Sequence, residues 1–416
     1  MRDVERLPVV IVGGGQAGLA VSWHLVREGI DHVVLERDTL VHSWRDQRWD
    51  SFCLVTPNWQ CRLPGYHYDG ADPDGFMVAA EINAWLDGYV ASFGPSVREH
   101  TAVTSVRPVE GGFDVVAGDA TIRAEQVVVA TGGYHRPSVP RIAERRPVGL
   151  VQLHSSEYRN PAQLPDGPVL VVGTGQSGAQ IAEDLFLAGR DVHLAVGQAP
   201  RFARRYRGRD VIAWMHDTGH YAKPVTDKPV EERHQDKTNH YVTGRDGGRD
   251  IDLRAFARDG LTLHGRLANI ADGDFVFAGD LEQNLDAADE VYNGINSLID
   301  EYIAAQGIEA GEPSRYRPVW RPSGYRGSRL PAAELGGIVW ATGFTRDYRW
   351  LHAGVFDGAG HPQHLRGVTA LDGLYFVGLP WLHTWGSGRF AGIETDAAYV
   401  ADRIREGLGG SLRAAS

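Results

Sequence analysis

Two stretches of the sequence follow one pattern: residues 9–26, VVIVGGGQAGLAVSWHLV, and residues 169–187, VLVVGTGQSGAQIAEDLFL. Each contains an apolar run typical of a buried strand, a G-x-G-x-x-G turn and an amphipathic stretch typical of a helix. Such a turn predicts a dinucleotide-binding unit. Because the unit occurs twice, two bound dinucleotides are favoured over glycine-rich turns without ligands.

The three glycines of each turn have different predicted roles. In the first turn, Gly13 permits the tight turn after the strand, Gly15 leaves space for a pyrophosphate, and Gly18 lets the helix pack closely on the strand. The equivalent residues of the second turn are Gly173, Gly175 and Gly178. Free N–H groups at each helix start are expected to face the phosphates. The predicted residues at these helix starts are Gln16, Ala17, Gln176 and Ser177.

The residues after the next strand of each unit indicate which dinucleotide binds. Glu36, followed by Arg37, ends the strand HVVL at a distance from Gly18 that suits a carboxylate bound to ribose hydroxyls, as in an FAD or NAD site. The second unit continues DVHLAVGQAPRFARR and has no acid there. Three guanidinium groups follow instead and predict a 2′-phosphate partner, hence NADPH, with a solvated loop face as the alternative. These residues are Arg201, Arg204 and Arg205.

Length and composition indicate a large enzyme that contacts neither nucleic acid nor membrane. The chain has 416 residues and a net charge of −11, whereas a nucleic-acid partner requires a basic face. The apolar stretch near the N-terminus is interrupted by Gly13–Gly15, so it predicts a strand rather than a signal or membrane segment, and we expect a cytoplasmic protein. Cys53 and Cys61 do not form a C-x-x-C motif, which predicts buried reduced thiols.

The order of strand and glycine signals predicts an α/β fold of two Rossmann-like dinucleotide-binding domains, in a three-layer ββα arrangement. We expect an FAD domain in residues 1–160, an NADPH domain in 161–335 with a polar insertion at 204–250, and a return to the FAD domain in 336–416. The NADPH domain is thus inserted into the FAD domain. Apolar strands end in ATG in both halves, at 130–132 and 341–343, so four further residues are predicted to contact cofactors: Thr131, Gly132, Thr342 and Gly343.

These motifs resemble those of the class B flavoprotein monooxygenases, which include flavin-containing, Baeyer–Villiger and indole-pyruvate monooxygenases. The resemblance rests on the paired turns, on HSSEY at 154–158 and on the return strand ATGF at 341–344. The stretches TPNWQCRLPG, TGRDGGRDIDL and GLPWLHTWGSGRF are similar to an uncharacterised bacterial flavoprotein family often encoded beside nitrilase-type genes. The fingerprint F-x-G-x-x-x-H of the monooxygenases is only half kept, since Val148 and Leu150 replace its aromatic residue and its glycine.

The resemblance implies a reaction. NADPH would reduce FAD, O2 would add to the reduced ring as a C4a-hydroperoxide, and a small organic nitrogen, sulfur or carbonyl compound would be oxygenated. A pocket that excludes water is then required. Tryptophans could supply its apolar walls, although for any one of them a place in the ordinary core is favoured, because large aromatic residues usually bury for packing alone. These are Trp44, Trp49, Trp59, Trp381 and Trp385. A homodimer is a further expectation.

Four residues are candidates for catalytic roles. Asn58 follows a turn near the expected flavin and could donate to a cofactor, or it could be a turn asparagine. His154 is expected to orient the linker to the second domain, with a core histidine as the alternative. Trp385 and Arg389 lie in GLPWLHTWGSGRF, where Gly378 and Gly388 let the backbone approach the flavin. Arg389 could instead cap the last helix.

The insertion contains four histidines, at 216, 220, 234 and 240. His216 and His220 have the spacing of one helix face, but no carboxylate signature accompanies them and Gly219 weakens a helix, so no metal site is predicted. A loop that covers the substrate is the preferred interpretation.

Two other functions fit the sequence less well. A reductase or oxidase would pass electrons from NAD(P)H through the flavin without inserting oxygen. A nucleotide-sensing module would bind partners through residues 204–250 and turn over no NADPH.

Overall fold

The computed structural model describes residues 4–229 and 240–414, and the side chains of residues 4–229 and 240–409. His234 lies outside the described residues. Among the helices of these ranges, none combines the length and the apolar character needed to cross a membrane.

The first part of the chain builds a sheet of seven strands. In chain order its strands and helices are β1 (Glu5–Val12), α1 (Gln16–Arg27), β2 (His32–Leu35), α2 (His42–Arg45), β3 (Arg62–Leu63), β4 (Tyr66–His67), α3 (Ala79–Phe93), β5 (Val97–Arg98), β6 (Val103–Val109), β7 (Gly112–Ala117), β8 (Ala120–Val129) and β9 (Arg136–Pro137). The strand order is β5-β2-β1-β8-β7-β6, in which β5, β2, β1 and β8 are parallel and β6, β7 and β8 are antiparallel. β8 joins the parallel part of the sheet to its antiparallel part, because it pairs with both β1 and β7.

The middle of the chain builds a second sheet. Its strands and helices are β10 (Val151–His154), β11 (Val169–Val172), α4 (Gln176–Leu187), β12 (Val192–Ala195), β13 (Arg205–Tyr206), β14 (Arg209–Asp210), α5 (Val211–Asp217), α6 (Leu253–Arg258), β15 (Thr262–His264), β16 (Leu267–Ala271), β17 (Asp274–Phe277), α7 (Leu281–Gln306), β18 (Ser328–Pro331) and β19 (Gly337–Trp340). The parallel sheet has the order β10-β19-β11-β12-β15, and β16, β17 and β18 form a separate antiparallel sheet.

The last part of the chain returns to the first sheet through β20 (Phe344–Thr345), β21 (Leu374–Phe376) and α8 (Phe390–Ala414). β21 pairs in parallel with β8, and α8 packs against α1. The fold prediction is therefore confirmed: two dinucleotide-binding sheets are present, and the second is inserted into the first.

Both central strands are buried on both faces, as expected of parallel sheets covered by other layers. In β1, Val9 and Ile11 enter one hydrophobic cluster, while Val10 and Val12 enter another. In β11, the odd-numbered and even-numbered residues divide in the same way between two clusters. The apolar runs of the two quoted stretches thus position each turn at the carboxyl edge of a sheet.

Several element boundaries differ from the sequence predictions. β10 and β19 both pair in the second sheet, so the chain crosses between the sheets before residue 151 and after residue 340, rather than at the predicted 160/161 and 335/336. β8 is one continuous strand, and α7 begins at Leu281, because Leu281 and Leu285 add a buried turn at its start.

The two crossings lie side by side. β9 and β20 pair antiparallel, Phe344 with Pro137 and Thr345 with Arg136. The connection between the sheets is therefore a two-stranded ribbon rather than two separate loops.

Both cysteines are free and buried, as predicted. Burial raises the pKa of Cys53 to about 11 and that of Cys61 to about 12, since desolvation disfavours the thiolate. Neither thiol has the lowered pKa of a reactive cysteine.

Candidate active site

The first glycine turn fits tightly around its own backbone and opens only toward the helix start. Gly13 has φ +112°, and a Cβ there would lie 2.7 Å from the carbonyl oxygen of Ala130, at the end of β8. A Cβ on Gly18 would lie 2.0 Å from the carbonyl oxygen of Gly13. A Cβ on Gly15 would meet nothing within 4 Å, and α1 begins at Gln16 without a side-chain cap. The turn therefore presents N–H groups to an open space.

The second turn repeats this geometry. Gly173 has φ +105°, and a Cβ there would lie 2.6 Å from the carbonyl oxygen of Ala341, just after β19. A Cβ on Gly178 would lie 2.0 Å from the carbonyl oxygen of Gly173. A Cβ on Gly175 would meet nothing within 4 Å, and α4 begins at Gln176 without a side-chain cap. Both turns therefore fit a pyrophosphate, which needs backbone approach and uncapped N–H donors.

Glu36 lies beside the first turn as predicted. Its carboxylate accepts hydrogen bonds from the backbone N–H of Gly14 at 2.7 Å and of Asp38 at 2.9 Å. These bonds hold the carboxylate at the end of β2. Arg37 is exposed and forms an ion pair with Asp38 at 3.0 Å, so its charge is directed away from the turn.

The return segment closes on the first turn. A Cβ on Gly378 would lie 2.5 Å from the Cβ of Ala17, so only glycine lets the chain after β21 lie this close to α1. The Gln16 side chain donates to the carbonyl of Gly388 at 3.2 Å. The predicted residues Gln16, Ala17, Gly378 and Gly388 are therefore brought together.

Aromatic residues join the first loop to the start of α8. Trp44 donates its indole N–H to the Gln16 side chain at 3.1 Å and stacks on Phe390, with ring centroids 5.1 Å apart. The guanidinium of Arg48 lies 5.0 Å from the Trp44 ring centroid and 5.4 Å from that of Phe52. Burial lowers the pKa of Arg48 to about 10. The sequence analysis missed Arg48, which only its place between two aromatic residues distinguishes from other arginines.

The ATG strand ends contact the turns and the ribbon between the sheets. The hydroxyl of Thr131 lies 3.1 Å from Nε2 of His135, and that nitrogen lies 2.9 Å from the carbonyl oxygen of Gly132. The hydroxyl of Thr342 donates to the Ser138 carbonyl, and Ser138 donates its N–H to the Gly343 carbonyl at 2.9 Å. These bonds fix where each turn lies relative to the ribbon.

His154 holds the same ribbon from the second sheet. Nε2 lies 2.9 Å from the carbonyl oxygen of Gly343 and must donate to it, so Nδ1 is the acceptor beside the Ser156 hydroxyl at 2.9 Å. Burial lowers the pKa of His154, which keeps the ring neutral. Its geometry is that of a linker-orienting residue, not of an accessible base.

The structure does not support the prediction that Arg201 and Arg204 contact a phosphate. Both are buried. Arg201 forms an ion pair with Asp289 at 2.7 Å, and Arg204 forms one with Asp210 at 2.8 Å and donates to the carbonyl of Val55 at 2.7 Å. Their charges are therefore neutralised by acids within the protein. Arg205 is exposed, and its Nη2 lies 3.5 Å from the Gly247 carbonyl, so it is the member of the predicted trio that remains accessible.

Asn58 corrects a second prediction. Its Nδ2 donates to the carbonyl of Asp72 at 2.9 Å, and its Oδ1 accepts from the N–H of Met77 at 2.8 Å. Asn58 is buried, and both ends of the carboxamide are used to hold residues 72–77. The alternative of a structural turn asparagine therefore applies.

Trp385 and Arg389 lie where the return segment meets the insertion. Trp385 stacks on Tyr221, with ring centroids 3.9 Å apart. Arg389 donates to the Trp385 carbonyl at 2.5 Å, and its guanidinium lies 4.5 Å from the Trp385 ring centroid. Trp49 and Trp381 belong to the buried core. Trp59 instead packs edge-on against His216, with ring centroids 5.0 Å apart.

The insertion does not form the helix face considered for a metal. α5 ends at Asp217, Gly219 has φ +71°, and His220 starts a separate helical turn. In the described ranges, no group of three or more His, Cys, Asp or Glu side chains is placed to hold a metal ion.

A cavity of about 420 Å³ lies beside the second turn, between the first loop, the insertion, α7 and the return segment. It is lined by Val55, Thr56, Gln176, Phe202, Val211, Ile212, Met215, His220, Tyr221, His240, Val291, Gly294, Ile295, Leu298, Trp385 and Arg389. A larger hollow of about 540 Å³ lies near the return segment and includes no residue of either turn. The smaller cavity is therefore the candidate active site, because it joins the second turn to residues that directly precede α8.

Asp184 connects the two domains beside this site, and the sequence analysis missed it. One carboxylate oxygen accepts from the Ser51 hydroxyl at 2.5 Å and from Arg245 at 3.1 Å, and the other accepts from the Tyr158 hydroxyl at 2.7 Å. Ser51 belongs to the first loop, and Asp184 lies on α4. A single buried carboxylate thus holds the first loop, the linker and the insertion together.

Comparison with known proteins identifies the family. The model of the pyridine nucleotide-disulphide oxidoreductases matches residues 10–217, and a CzcO-like oxidoreductase of Geobacillus kaustophilus is 30% identical over 400 residues, which cover 95% of this chain and 97% of that protein. The chain belongs to the pyridine nucleotide-disulphide oxidoreductase family. It is also 33% identical over 193 residues to the indole-3-pyruvate monooxygenase YUCCA1 of Oryza sativa, which cover 45% of this chain and 47% of that protein.

Solved structures share the fold over nearly the whole chain. A flavin monooxygenase variant from Stenotrophomonas maltophilia has a TM-score of 0.65 at 19% identity, covering 96% of this chain and 98% of its own. A bacillithiol disulfide reductase from Bacillus cereus has a TM-score of 0.62 at 14% identity, and the match covers 96% of this chain and 99% of the reductase. The complex of OTEMO with FAD and NADP has a TM-score of 0.59 at 15% identity, and the match covers 98% of this chain and 86% of OTEMO.

These findings confirm the resemblance to the class B flavoprotein monooxygenases and the prediction of an oxidoreductase with the fold of enzymes that bind a flavin and a pyridine nucleotide. The assignment of individual residues to each cofactor stays a prediction, as do the homodimer and the cytoplasmic location.

Proposed function

We propose that this protein is an FAD-dependent, NADPH-consuming monooxygenase that acts on a small organic nitrogen, sulfur or carbonyl compound. The observation that carries the proposal is the pair of open glycine turns, one on each sheet, with a cavity beside the second turn that residues of the first loop and of the return segment also line. The monooxygenase relatives and the fold shared with a flavin monooxygenase support it.

Each of the two glycine turns is assigned to one cofactor. The first turn and Glu36 would hold FAD, since the open space at Gly15 fits its pyrophosphate and the carboxylate fits ribose hydroxyls. The second turn, from Gly173 to Gly178, would hold the pyridine nucleotide. Bound between these residues, a flavin would supply hydride acceptance from the nicotinamide and electron transfer to O2.

Protein groups between the turns would keep water from the reaction. Trp385 and Tyr221 stack where the insertion meets the return segment, and Arg389 covers the outer face of Trp385. Trp44 and Phe390 stack beside the first turn. Such apolar contacts exclude water from the space between the two sites.

NADPH is preferred over NADH because no acid follows β12. Gly197 occupies that region and donates its N–H to the Thr174 hydroxyl at 3.0 Å. A carboxylate there would repel a 2′-phosphate, whereas the exposed Arg205 would attract one.

A reductase that transfers electrons without inserting oxygen is the alternative, and the fold shared with a bacillithiol disulfide reductase favours its consideration. Both thiols of this chain are buried and have raised pKa values, which disfavours thiol–disulfide exchange.

The deciding experiment is turnover under ¹⁸O₂. Purified protein carrying FAD is mixed with NADPH and a panel of thioethers, amines and ketones, and products are analysed by mass spectrometry. A product that contains one ¹⁸O atom is expected. NADPH oxidation that yields only hydrogen peroxide with every member of the panel would support the reductase and contradict the proposal.

A further inference from the structure

The wall that α7 contributes to the cavity is one apolar stripe with a gap. Val291, Ile295 and Leu298 follow the spacing i, i+4, i+7 and therefore lie on the same face of the helix. Gly294 lies on this face as well. Leu298, which lies on this face, is 39% exposed.

Gly294 has no structural reason to be glycine. It lies in the middle of the 26-residue helix α7, where glycine is the poorest helix former except proline. It does not have a positive φ, and a Cβ there would meet nothing within 4 Å. The missing side chain therefore serves neither a turn nor a close contact. Its effect is to widen the mouth of the cavity.

The opposite wall is apolar too. Val211, Ile212 and Met215 from α5 face the cavity, together with Phe202 and Tyr221. A volume of about 420 Å³ lies within the range of small-molecule sites. Such a wall favours a ligand that is itself apolar, because transfer of apolar surface from water stabilises the complex.

Two long polar side chains of the cavity wall are held by hydrogen bonds within the protein. The Gln176 side chain donates to the Val242 carbonyl at 2.6 Å, and Arg389 donates to the Trp385 carbonyl. Burial lowers the pKa of His220, which keeps its ring uncharged. Among the described residues, no Asp or Glu lines the cavity. The one guanidinium among the described lining residues, that of Arg389, already donates to the Trp385 carbonyl and lies against the Trp385 ring, so an anionic ligand would lose hydration here for at most a shared partner.

We propose that the cavity between α5 and α7 binds the organic substrate, that this substrate is an uncharged apolar molecule, and that Gly294 sets its maximum size at the mouth. The inference rests on the proposed function, because it assumes that the substrate reacts between the two turns.

The test measures binding rather than turnover. Methyl phenyl sulfide is titrated calorimetrically into the FAD-loaded protein, and 4-(methylsulfanyl)benzoate, which adds a carboxylate, is the matched probe. The variants are Gly294→Ala and Gly294→Leu. Gly409→Leu on α8 is the control, since Gly409 is also an exposed helical glycine whose Cβ would meet nothing within 4 Å.

We expect the neutral probe to bind at least tenfold more tightly than the carboxylate. Gly294→Leu should weaken binding of the neutral probe at least tenfold, and Gly294→Ala should weaken it less. Gly409→Leu should leave this affinity unchanged, and the flavin absorbance should be the same in all variants. Since both substitutions favour the helix, the melting temperature should not fall. Absence of binding by the neutral probe, tighter binding of the carboxylate, or unchanged affinity in Gly294→Leu would overturn the proposal.

The two proposals fail differently. If binding depends on Gly294 but no ¹⁸O enters any product, the cavity assignment stands and the monooxygenase is wrong. If oxygenated product forms at the same rate in wild type and Gly294→Leu, the cavity assignment is wrong and the monooxygenase stands.

Discussion

Single residues in equivalent positions of the two units have different surroundings. Glu36 keeps its carboxylate beside the first turn through two backbone hydrogen bonds, and this local arrangement was predictable from its position after β2. Arg201 follows the equivalent strand but is buried against Asp289, which lies 88 residues further along the chain. A local pattern contains no information about such a distant partner.

Arg205 provides a direct test of the coenzyme preference. Because its guanidinium is exposed, Arg205→Gln should raise the KM for NADPH about tenfold, as expected for loss of one charge-assisted phosphate contact, and leave the KM for NADH unchanged. Steady-state kinetics with both coenzymes measure this. Arg209→Gln is the control, since Arg209 forms an ion pair with Asp217 at 2.5 Å. Equal KM values in Arg205→Gln and wild type would exclude Arg205 as the phosphate partner.

Asp396 should make stability depend on pH. Burial raises its pKa from 3.8 to about 6, so between these values the folded chain retains a proton that the unfolded chain has lost. The free energy of unfolding therefore falls as the pH rises from about 4 to about 6. Asp396→Asn should remove this loss and stabilise the protein at pH 7.5 by up to about 3 kcal/mol.

Thermal melting at pH 5.0 and pH 7.5 measures the effect. The variant should gain more over wild type at pH 7.5 than at pH 5.0. Asp402→Asn on the same helix is the control, because the Asp402 side chain is 50% exposed and surface ion pairs contribute little. A constant difference between Asp396→Asn and wild type at both pH values would contradict the assignment.

At the scale of elements, the connections between the sheets are more ordered than separate linkers would be. β9 and β20 form a ribbon, His154 holds it at Gly343, and Asp184 joins α4 to the first loop. The sequence predicts that His154 orients the linker, because its motif lies just ahead of the second unit, and that role stays a prediction. The sequence analysis missed Asp184, since an acid on an amphipathic helix normally faces solvent.

Loss of one bond to Asp184 should loosen this connection. Tyr158 is fully buried, and its hydroxyl donates to Asp184, so Tyr158→Phe should reduce the free energy of unfolding by about 1–2 kcal/mol. Chemical denaturation measures the change. Tyr66→Phe is the control, because the Tyr66 hydroxyl has no hydrogen-bond partner in the part of the chain that the structure describes. Equal destabilisation by the two substitutions would show that the bond to Asp184 contributes nothing.

For the whole molecule, the sequence predicted the two sheets and the insertion of one domain into the other. The reason is that apolar runs and glycine turns are local signals, and each glycine of the turns lies where its predicted role requires. The cavity was not predictable in the same way. Its walls come from the first loop, α5, α7 and the return segment, which meet only after both sheets have formed. Asn58 shows the same limit, since its partners were visible only once residues 72–77 had folded over it.

If each turn binds its own dinucleotide, Gly15→Ala and Gly175→Ala should affect different cofactors. Both glycines have negative φ and empty surroundings, so alanine should be accommodated while its methyl group enters the space assigned to a pyrophosphate. The measurement is the flavin absorbance of each purified variant, followed by stopped-flow reduction with NADPH. Gly15→Ala is expected to lack flavin, whereas Gly175→Ala should retain it and need at least tenfold more NADPH for half-maximal reduction. A Gly15→Ala protein with full flavin content, or a Gly175→Ala protein that NADPH reduces as it does wild type, would contradict the assignment of one dinucleotide to each turn.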